Sequence, residues 1–139
     1  MVPAMDAAAL EVFLETEFPQ VSRDYAVEAV GPMTALVRFR VAARHLRPGG
    51  TVSGPSIFAL ADVAMYLALL AQIGPKALAV TTNCSIDFMR KPAAGVDLLA
   101  EARILKLGRV LAVGDVLIRS EGEEQVVARA GLTYSIPPR

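Results

Sequence analysis

The stretch RPGGTVSGPSIFALADVAMYLALL, residues 47–70, places one carboxylate, Asp62, in an otherwise almost wholly apolar run. Isoleucine, leucine and alanine recur at helical spacing along one side of this run, and the opposite side is apolar too. A helix that is hydrophobic all round is buried on both sides. The sequence therefore predicts a long central helix over residues 55–73, which Gly74 and Pro75 end.

The segments around this helix alternate between apolar and polar residues, as half-buried strands do. A short amphipathic helix within residues 1–20, with Asp6 as its N-cap, comes first. Turn signals separate six strand candidates, which lie at 25–30, 34–41, 77–90, 96–105, 110–120 and 125–136. We expect an α+β fold in which a curved antiparallel sheet wraps around the central helix, in a single domain of residues 1–139.

The composition excludes several classes of function. The formal net charge is zero, and no basic run or acidic tail indicates a nucleic acid or an anionic membrane as partner. A single cysteine rules out an intramolecular disulfide and fits a reducing compartment. No basic segment opens the chain, and Asp62 interrupts the apolar run at 56–71, so neither a signal peptide nor a membrane span is expected. We expect a cytoplasmic protein that buries part of its apolar surplus between subunits.

Two motifs resemble the hotdog-fold thioesterases of the PaaI-like type. The first is RPGGTVSGP at 47–55 followed by Asp62, and the second is VTTNCSIDFMRKPAAG at 80–95. ILKLGRVLAVGDVLI at 104–118 and TYSIPP at 133–138 are also typical, so the resemblance covers about residues 25–137. It implies a hotdog fold and hydrolysis of an acyl-coenzyme A thioester. It further implies no metal or organic cofactor beyond the coenzyme A of the substrate, and a homodimer that assembles into a homotetramer.

The resemblance assigns three catalytic roles. Asp62 is the acid that works at a subunit boundary, as general base on water or as direct nucleophile, and the sequence leaves both open. The Gly54 N–H at the helix start would polarise the carbonyl. Thr81 falls where members of the family carry a hydroxyl near the reacting centre. The structural alternatives are an ion pair of Asp62 with Arg47 or Arg90, a tight turn with positive φ at Gly54, and an ordinary strand threonine.

The chain departs from the family motif at three positions. Arg47 stands where many members have asparagine, Ser53 replaces a histidine and Pro55 replaces a glycine. Arg47 would either pair with Asp62 or bind the substrate. Ser53 fits a helix N-cap and is also a candidate for substrate binding. Phe58 would border the acyl group, of medium length or aromatic, together with Met65 and Leu69. The basic candidates for the coenzyme A phosphates are Arg90, Lys91 and Arg109.

Two further residues are expected to have structural roles only. His45 is the only histidine and is expected to be structural, so a histidine-based metal site is not expected. Cys84 lies in a strand and is expected to be a core thiol.

The alternative function is a catalytically silent hotdog protein that binds acyl thioesters or a protein partner, which the changes at Arg47 and Ser53 favour. A dehydratase-like hotdog would pair a histidine with the acid, and His45 is badly placed for that.

Overall fold

The computed structural model describes residues 2–138 and contains the expected elements. Two helices and six strands follow one another in the expected order, with single 3-10 turns at Ser22–Asp24 and Ala43–His45. The elements are α1 Ala7–Glu17, β1 Tyr25–Gly31, β2 Thr34–Phe39, α2 Gly54–Ile73, β3 Val80–Phe88, β4 Leu98–Leu107, β5 Leu111–Ser120 and β6 Val126–Ser135.

All six strands form one antiparallel sheet in the order β1-β2-β4-β5-β6-β3. The strand that follows α2 in the chain therefore lies at the far edge of the sheet, beside β6. One face of the sheet packs on α2, and its alternate residues are buried, as Leu98, Ala100 and Ala102 of β4 illustrate. The predicted fold, a curved antiparallel sheet wrapped around one long helix, is confirmed.

The central helix is enclosed along its second half and open on one side of its first half. Every residue from Ala64 to Gln72 is buried, whereas Pro55, Phe58 and Ala59 are exposed. The prediction of burial on both sides is thus correct only for the second half. In length and composition α2 would suffice to cross a bilayer, but here it is the core helix of the sheet.

Gly114 of β5 allows α2 to lie unusually close to the sheet. A Cβ atom at this position would be 2.5 Å from the Arg103 carbonyl oxygen and 2.7 Å from Met65 Sδ. The pairing of β4 with β5 is irregular beside it, between Ile104 and Lys106. The missing side chain therefore provides the space that Met65 of the helix fills.

The N-terminal helix covers the open end of the sheet next to β1. Asp6 caps it, since the Ala9 N–H donates to the Asp6 carboxylate over 2.9 Å, as the sequence predicted. Leu10 and Leu14 are buried against the core. The backbone N–H of Val27 donates to a carboxylate oxygen of Glu11 over 2.7 Å and ties α1 to β1. Leu14 thereby becomes part of the wall of a cavity beside the central helix.

Candidate active site

The carboxylate of Asp62 is held by two hydroxyl groups. Thr81 Oγ1 donates to Asp62 Oδ1 over 2.6 Å, and Tyr134 Oη donates to the same oxygen over 2.6 Å. Tyr134 Oη also lies 3.0 Å from the backbone carbonyl oxygen of Asp62. An acid in an apolar helix requires polar partners, and two neighbouring strands of the sheet supply them here.

These two donors are direct partners across the sheet. Thr81 of β3 pairs with Tyr134 of β6, and the register of this strand pair shifts immediately afterwards, between Thr81 and Asn83. Directly opposed side chains on one face of an antiparallel pair lie close together. The strand register therefore brings both hydroxyls to one point above the helix.

An apolar cavity of about 420 Å³ opens beside this carboxylate. Aromatic rings form part of its wall: Tyr66 lies 6.0 Å from Tyr134 and 5.8 Å from Phe18, measured between ring centroids. Asp62 and Thr81 are the polar residues at its wall besides these tyrosines. The remaining lining residues are Leu14, Val21, Val63, Ala77, Ala79 and Val80.

The tyrosines of this cavity stay protonated. Burial raises the pKa of Tyr66 to about 12, with a smaller contribution from Glu17. Burial also raises the pKa of Tyr134, and the negative charge of Asp62 raises it further. The Tyr134 phenol is therefore protonated near neutral pH and can donate its hydrogen bond to Asp62.

The glycine loop presents a free amide at the start of α2. Gly54 is the first helical residue, and its N–H donates no hydrogen bond to any group within residues 2–138. Ser53 is the N-cap, because its hydroxyl accepts from the Ser56 N–H over 3.3 Å, as expected. Positive φ angles occur at Gly49 and Gly50, not at Gly54. The tight-turn alternative for Gly54 is therefore wrong, and the turn belongs to its two neighbours.

His45 fixes the position of this loop through contacts of its ring and its backbone. Its ring is buried, Nδ1 accepts from the Ala42 N–H over 2.9 Å, and Nε2 lies 3.4 Å from Asp24 Oδ2. Its carbonyl oxygen accepts the N–H of Ser53 over 2.8 Å. These contacts agree with the structural role that the sequence indicated.

A second cavity, of about 540 Å³, is lined in part by Gly54. Arg47, Arg90 and Lys91 line it, so the structure brings three of the predicted basic residues together with Gly54. Phe88 forms another part of the wall. The cavity combines a helix N-terminus with positive side chains, which is an environment suited to anionic groups.

Arg109 is not part of this group. It lines a different cavity with Ile73 and Lys76, at the C-terminal end of α2, away from Gly54 at the N-terminal end. Within a single chain the structure thus separates Arg109 from the other basic candidates.

Phe58, Met65 and Leu69 do not form one acyl-facing surface. Met65 and Leu69 are 0% exposed, because the sheet encloses the helix at their positions. Phe58 is 40% exposed on the open side of α2. The expectation that all three border the substrate is therefore wrong for Met65 and Leu69, and Phe58 alone remains accessible.

The predicted alternative of an ion pair for Asp62 is also wrong. No salt bridge within residues 2–138 includes Asp62, and neither Arg47 nor Arg90 lies at the cavity that Asp62 lines.

Cys84 was expected to be a core thiol, but it is only half-buried on the edge strand. This partial burial raises the pKa of its thiol.

Asp62 and Gly54 of one chain line different cavities. They are eight residues apart on α2, which corresponds to about 12 Å along the helix axis. One thioester carbonyl cannot touch both groups of the same chain at this separation.

Tyr134 is the residue of the site that the sequence interpretation missed. It lies in TYSIPP at 133–138, a stretch that is typical of the family but to which the resemblance assigns no catalytic role. A usable signal was present: Tyr134 alternates with Ala130 and Leu132 on the inward face of its strand. A buried tyrosine hydroxyl usually has a hydrogen-bond partner, and the acid in an apolar helix, Asp62, requires polar partners.

The antiparallel sheet wrapped around one long central helix is the hotdog fold. The model of the thioesterase superfamily matches residues 49–127, and the chain belongs to this family, in its PaaI-like branch. The acyl-coenzyme A thioesterase PaaI of Escherichia coli (strain K12) is 31% identical over 102 residues, 73% of this chain and 71% of that protein.

Two solved structures extend the similarity over more of the chain. A crystal structure from Silicibacter sp. TM1040, provisionally assigned as a thioesterase, is 57% identical with a TM-score of 0.92, covering 98% of this chain and 94% of the other. A mutant of the phenylacetic acid degradation protein PaaI from Thermus thermophilus is 32% identical with a TM-score of 0.72, covering 86% of this chain and 99% of the other.

Proposed function

We propose that this protein is an acyl-coenzyme A thioesterase that releases a free acid and coenzyme A. The observation that supports this most directly is the Asp62 carboxylate, held by Thr81 and Tyr134 at the mouth of an apolar cavity. Water adds to the carbonyl carbon, the carbon–sulfur bond breaks, and the departing thiolate takes up a proton. Asp62 either removes the proton from that water, or attacks the carbonyl carbon itself. In the second route the thiolate leaves first, and water then hydrolyses the anhydride between the acyl group and Asp62, which releases the free acid and restores the carboxylate.

The Gly54 amide is the proposed donor to the carbonyl oxygen, because it is unpaired and lies at a helix N-terminus that borders a cavity. Arg47, Arg90 and Lys91 of that cavity would bind the phosphates of coenzyme A, with Arg109 as a further candidate. Ser53 fixes the helix start, and Phe58 borders the substrate on the open side of α2. No cofactor is required in this scheme.

The acyl group is proposed to enter the cavity beside Asp62. Its lining is apolar and partly aromatic, from Phe18, Tyr66 and Tyr134, which suits an aromatic or medium-length acyl chain. The cavity is wide enough for such a group and has few polar atoms to satisfy. α1 supplies Leu14 to its wall, so the N-terminal helix contributes to the choice of substrate.

Two copies of the chain are proposed to build each site. Since Asp62 and Gly54 of one chain are too far apart to share a carbonyl, the partner's Gly54 would face Asp62. The open side of α2 and the unpaired edge of β3 are the surfaces for this homodimer. Exposed apolar side chains on the outer face of the sheet support a further association into a tetramer; they are Leu105, Leu111, Val113 and Leu117. A cytoplasmic location remains the prediction drawn from the single cysteine.

Thiol release from a panel of acyl-coenzyme A esters tests the activity. Asp62→Asn keeps the shape of the side chain and removes the base or nucleophile, so turnover should fall about 10²–10⁴-fold. Glu124→Gln, at an exposed position in the turn between β5 and β6, is the matched control and should retain turnover. Binding of acyl-coenzyme A without turnover in the unaltered protein would favour the catalytically silent alternative.

Two substitutions at Gly54 test the amide itself. Gly54→Ala keeps the N–H, and its Cβ would be 3.6 Å from Phe88, an ordinary contact. Gly54→Pro removes the N–H at the first helical position, which tolerates proline, after a Ser53 that is already extended (φ −71, ψ 152). Because Pro55 follows and disfavours helical backbone at position 54, thermal unfolding of the variant must match that of the unaltered protein before a loss is assigned to the N–H. Turnover should fall about 10²–10³-fold in the proline variant and should be retained in the alanine variant. Equal activity in both variants would exclude the amide as the donor.

Mixed dimers test the shared site. Asp62→Asn and Gly54→Pro homodimers would each be inactive, but a mixed dimer retains one site with both groups intact. Random mixing should therefore restore about a quarter of the unaltered activity. No recovery on mixing, with mixed dimers demonstrated by mass, would contradict the two-chain site.

A further inference from the structure

The two oxygens of the Asp62 carboxylate have different surroundings. Both hydroxyl donors, Thr81 Oγ1 and Tyr134 Oη, contact Oδ1, each at 2.6 Å. Oδ2 accepts no hydrogen bond from any group within residues 2–138. Among the buried side-chain nitrogen and oxygen atoms in that part of the chain, only Gln72 Oε1 has no hydrogen-bond partner. Since Oδ2 of Asp62 also has no partner and is not one of these buried atoms, it is accessible to solvent. One oxygen is fixed and the other is free.

We propose that Tyr134 is a positioning residue that, with Thr81, holds Oδ1 of Asp62 and thereby selects Oδ2 as the oxygen that acts. This inference rests on the proposed hydrolase function and adds an assignment to it: Oδ2 takes the proton from water, or forms the bond to the carbonyl carbon. Tyr134 does not touch the substrate in this role and acts only through Asp62.

Tyr134 is better suited than Thr81 to fix the carboxylate. Its side chain is almost completely buried, with 3% of the residue exposed. Its ring is stacked near Tyr66, and its hydroxyl is also 3.0 Å from the Asp62 carbonyl oxygen. The phenol thus contacts both the side chain and the backbone of the same residue. Rotation of the carboxylate about its last bond away from this orientation breaks the contact with Tyr134.

The groups around Asp62 carry no competing charge. The ionisable groups that sense its charge are Tyr134 on β6, Cys84 on β3 and Tyr25 on β1, and the pKa of each is raised, chiefly by burial. All three are therefore neutral near pH 7. Removal of the Tyr134 hydroxyl leaves only Thr81 to hold the carboxylate.

Tyr134→Phe removes the hydroxyl and keeps the ring, and steady-state kinetics measure the effect. Because a hydrogen bond to a charged group is lost, kcat should fall by about tenfold to a hundredfold. KM should change little, since the ring still fills the cavity wall. Tyr25→Phe is the matched control: it removes a second buried phenol near Asp62 that makes no hydrogen bond to it, and kcat should stay unchanged.

Infrared difference spectroscopy of the unaltered protein against Asp62→Asn isolates this carboxylate without any turnover. Hydrogen bonds to one oxygen alone make the two C–O bonds unequal and widen the separation of the two carboxylate stretches. The separation should exceed that of free aspartate, and Tyr134→Phe should narrow it while Tyr25→Phe should not. The first comparison needs no Tyr134 variant and holds even if Tyr134→Phe fails to fold.

The possible results separate the two proposals. A narrowed separation together with reduced kcat supports the positioning role. If Tyr134→Phe narrows the separation of the two stretches but the unaltered protein hydrolyses no thioester, the hold of Tyr134 on Oδ1 is supported and the hydrolase function is refuted. A separation equal to that of free aspartate, or one that Tyr134→Phe leaves unchanged, overturns the assignment of Tyr134.

Discussion

Replacing Gly114 by alanine is expected to destabilise the protein by about 2 kcal/mol, because two neighbours occupy the space of the new Cβ. The Met65 sulfur at 2.7 Å belongs to a flexible side chain and can move. The Arg103 carbonyl oxygen at 2.5 Å belongs to the neighbouring strand and cannot move without disturbing the β4–β5 pairing.

Two opposing effects set this magnitude. Overpacking of a filled interior costs about 1–3 kcal/mol, and two contacts shorter than 3 Å place Gly114 at the upper end of this range. Alanine has less conformational freedom than glycine in the unfolded chain, which stabilises the folded state by about 0.4–1 kcal/mol. For a chain of this size, a net loss near 2 kcal/mol lowers Tm by about 6–8 °C.

Urea unfolding followed by circular dichroism measures this loss, at one protein concentration because association contributes to apparent stability. Gly131→Ala is the matched control: it also lies in a strand, its φ is not positive, and nothing lies within 4 Å of the new Cβ. It should be neutral or slightly stabilising. Equal stability of Gly114→Ala and the unaltered protein, or an equal loss in both variants, would show that close packing at Gly114 is not the cause.

Stability measurements also test two features of the site. Ser53→Ala removes the cap of α2 and should cost about 1 kcal/mol in urea unfolding, whereas Ser53→Asp should keep it; unchanged stability with lost turnover would instead place Ser53 on the substrate. Burial raises the pKa of Tyr25 and Tyr66 to about 12, while unfolded tyrosines ionise near pH 10. The unfolded chain then binds fewer protons, so stability should fall between pH 10 and 12, by up to about 1.4 kcal/mol per pH unit for each tyrosine. Tyrosinate absorbance near pH 10 with a native circular dichroism spectrum would contradict this.

The elements of the fold could be predicted because each has a local cause. Alternation marks β2 and β4, and Asp6 and Ser53 are caps whose partners lie three residues away. Gly74, with φ of 94°, ends the central helix as its sequence position predicts. These signals depend on neighbours along the chain, so a single sequence contains them.

The arrangement of the site could be predicted only in part. The motif locates Gly54, Asp62 and Thr81, but it does not contain Tyr134, which lies 72 residues from Asp62. The apolar pattern of α2 predicts that Met65 and Leu69 are buried, but not that the sheet rather than the substrate or a second chain covers them, because that depends on how far the sheet extends along α2. The apolar pattern of that helix is the same whether the sheet or a second chain covers it.

The position of β3 explains how the fold produces the site. β3 can bring Thr81 to the helix and also leave a sheet edge free for a partner, because it is the last strand in the sheet. Its register with β6 sets Thr81 opposite Tyr134. A slip of one residue would turn Thr81 to the outer face and remove one of the two donors to Asp62. The acid in the apolar helix is thus held in place by strand pairing, and the same strand sets it at the boundary where a second chain is proposed to complete the site.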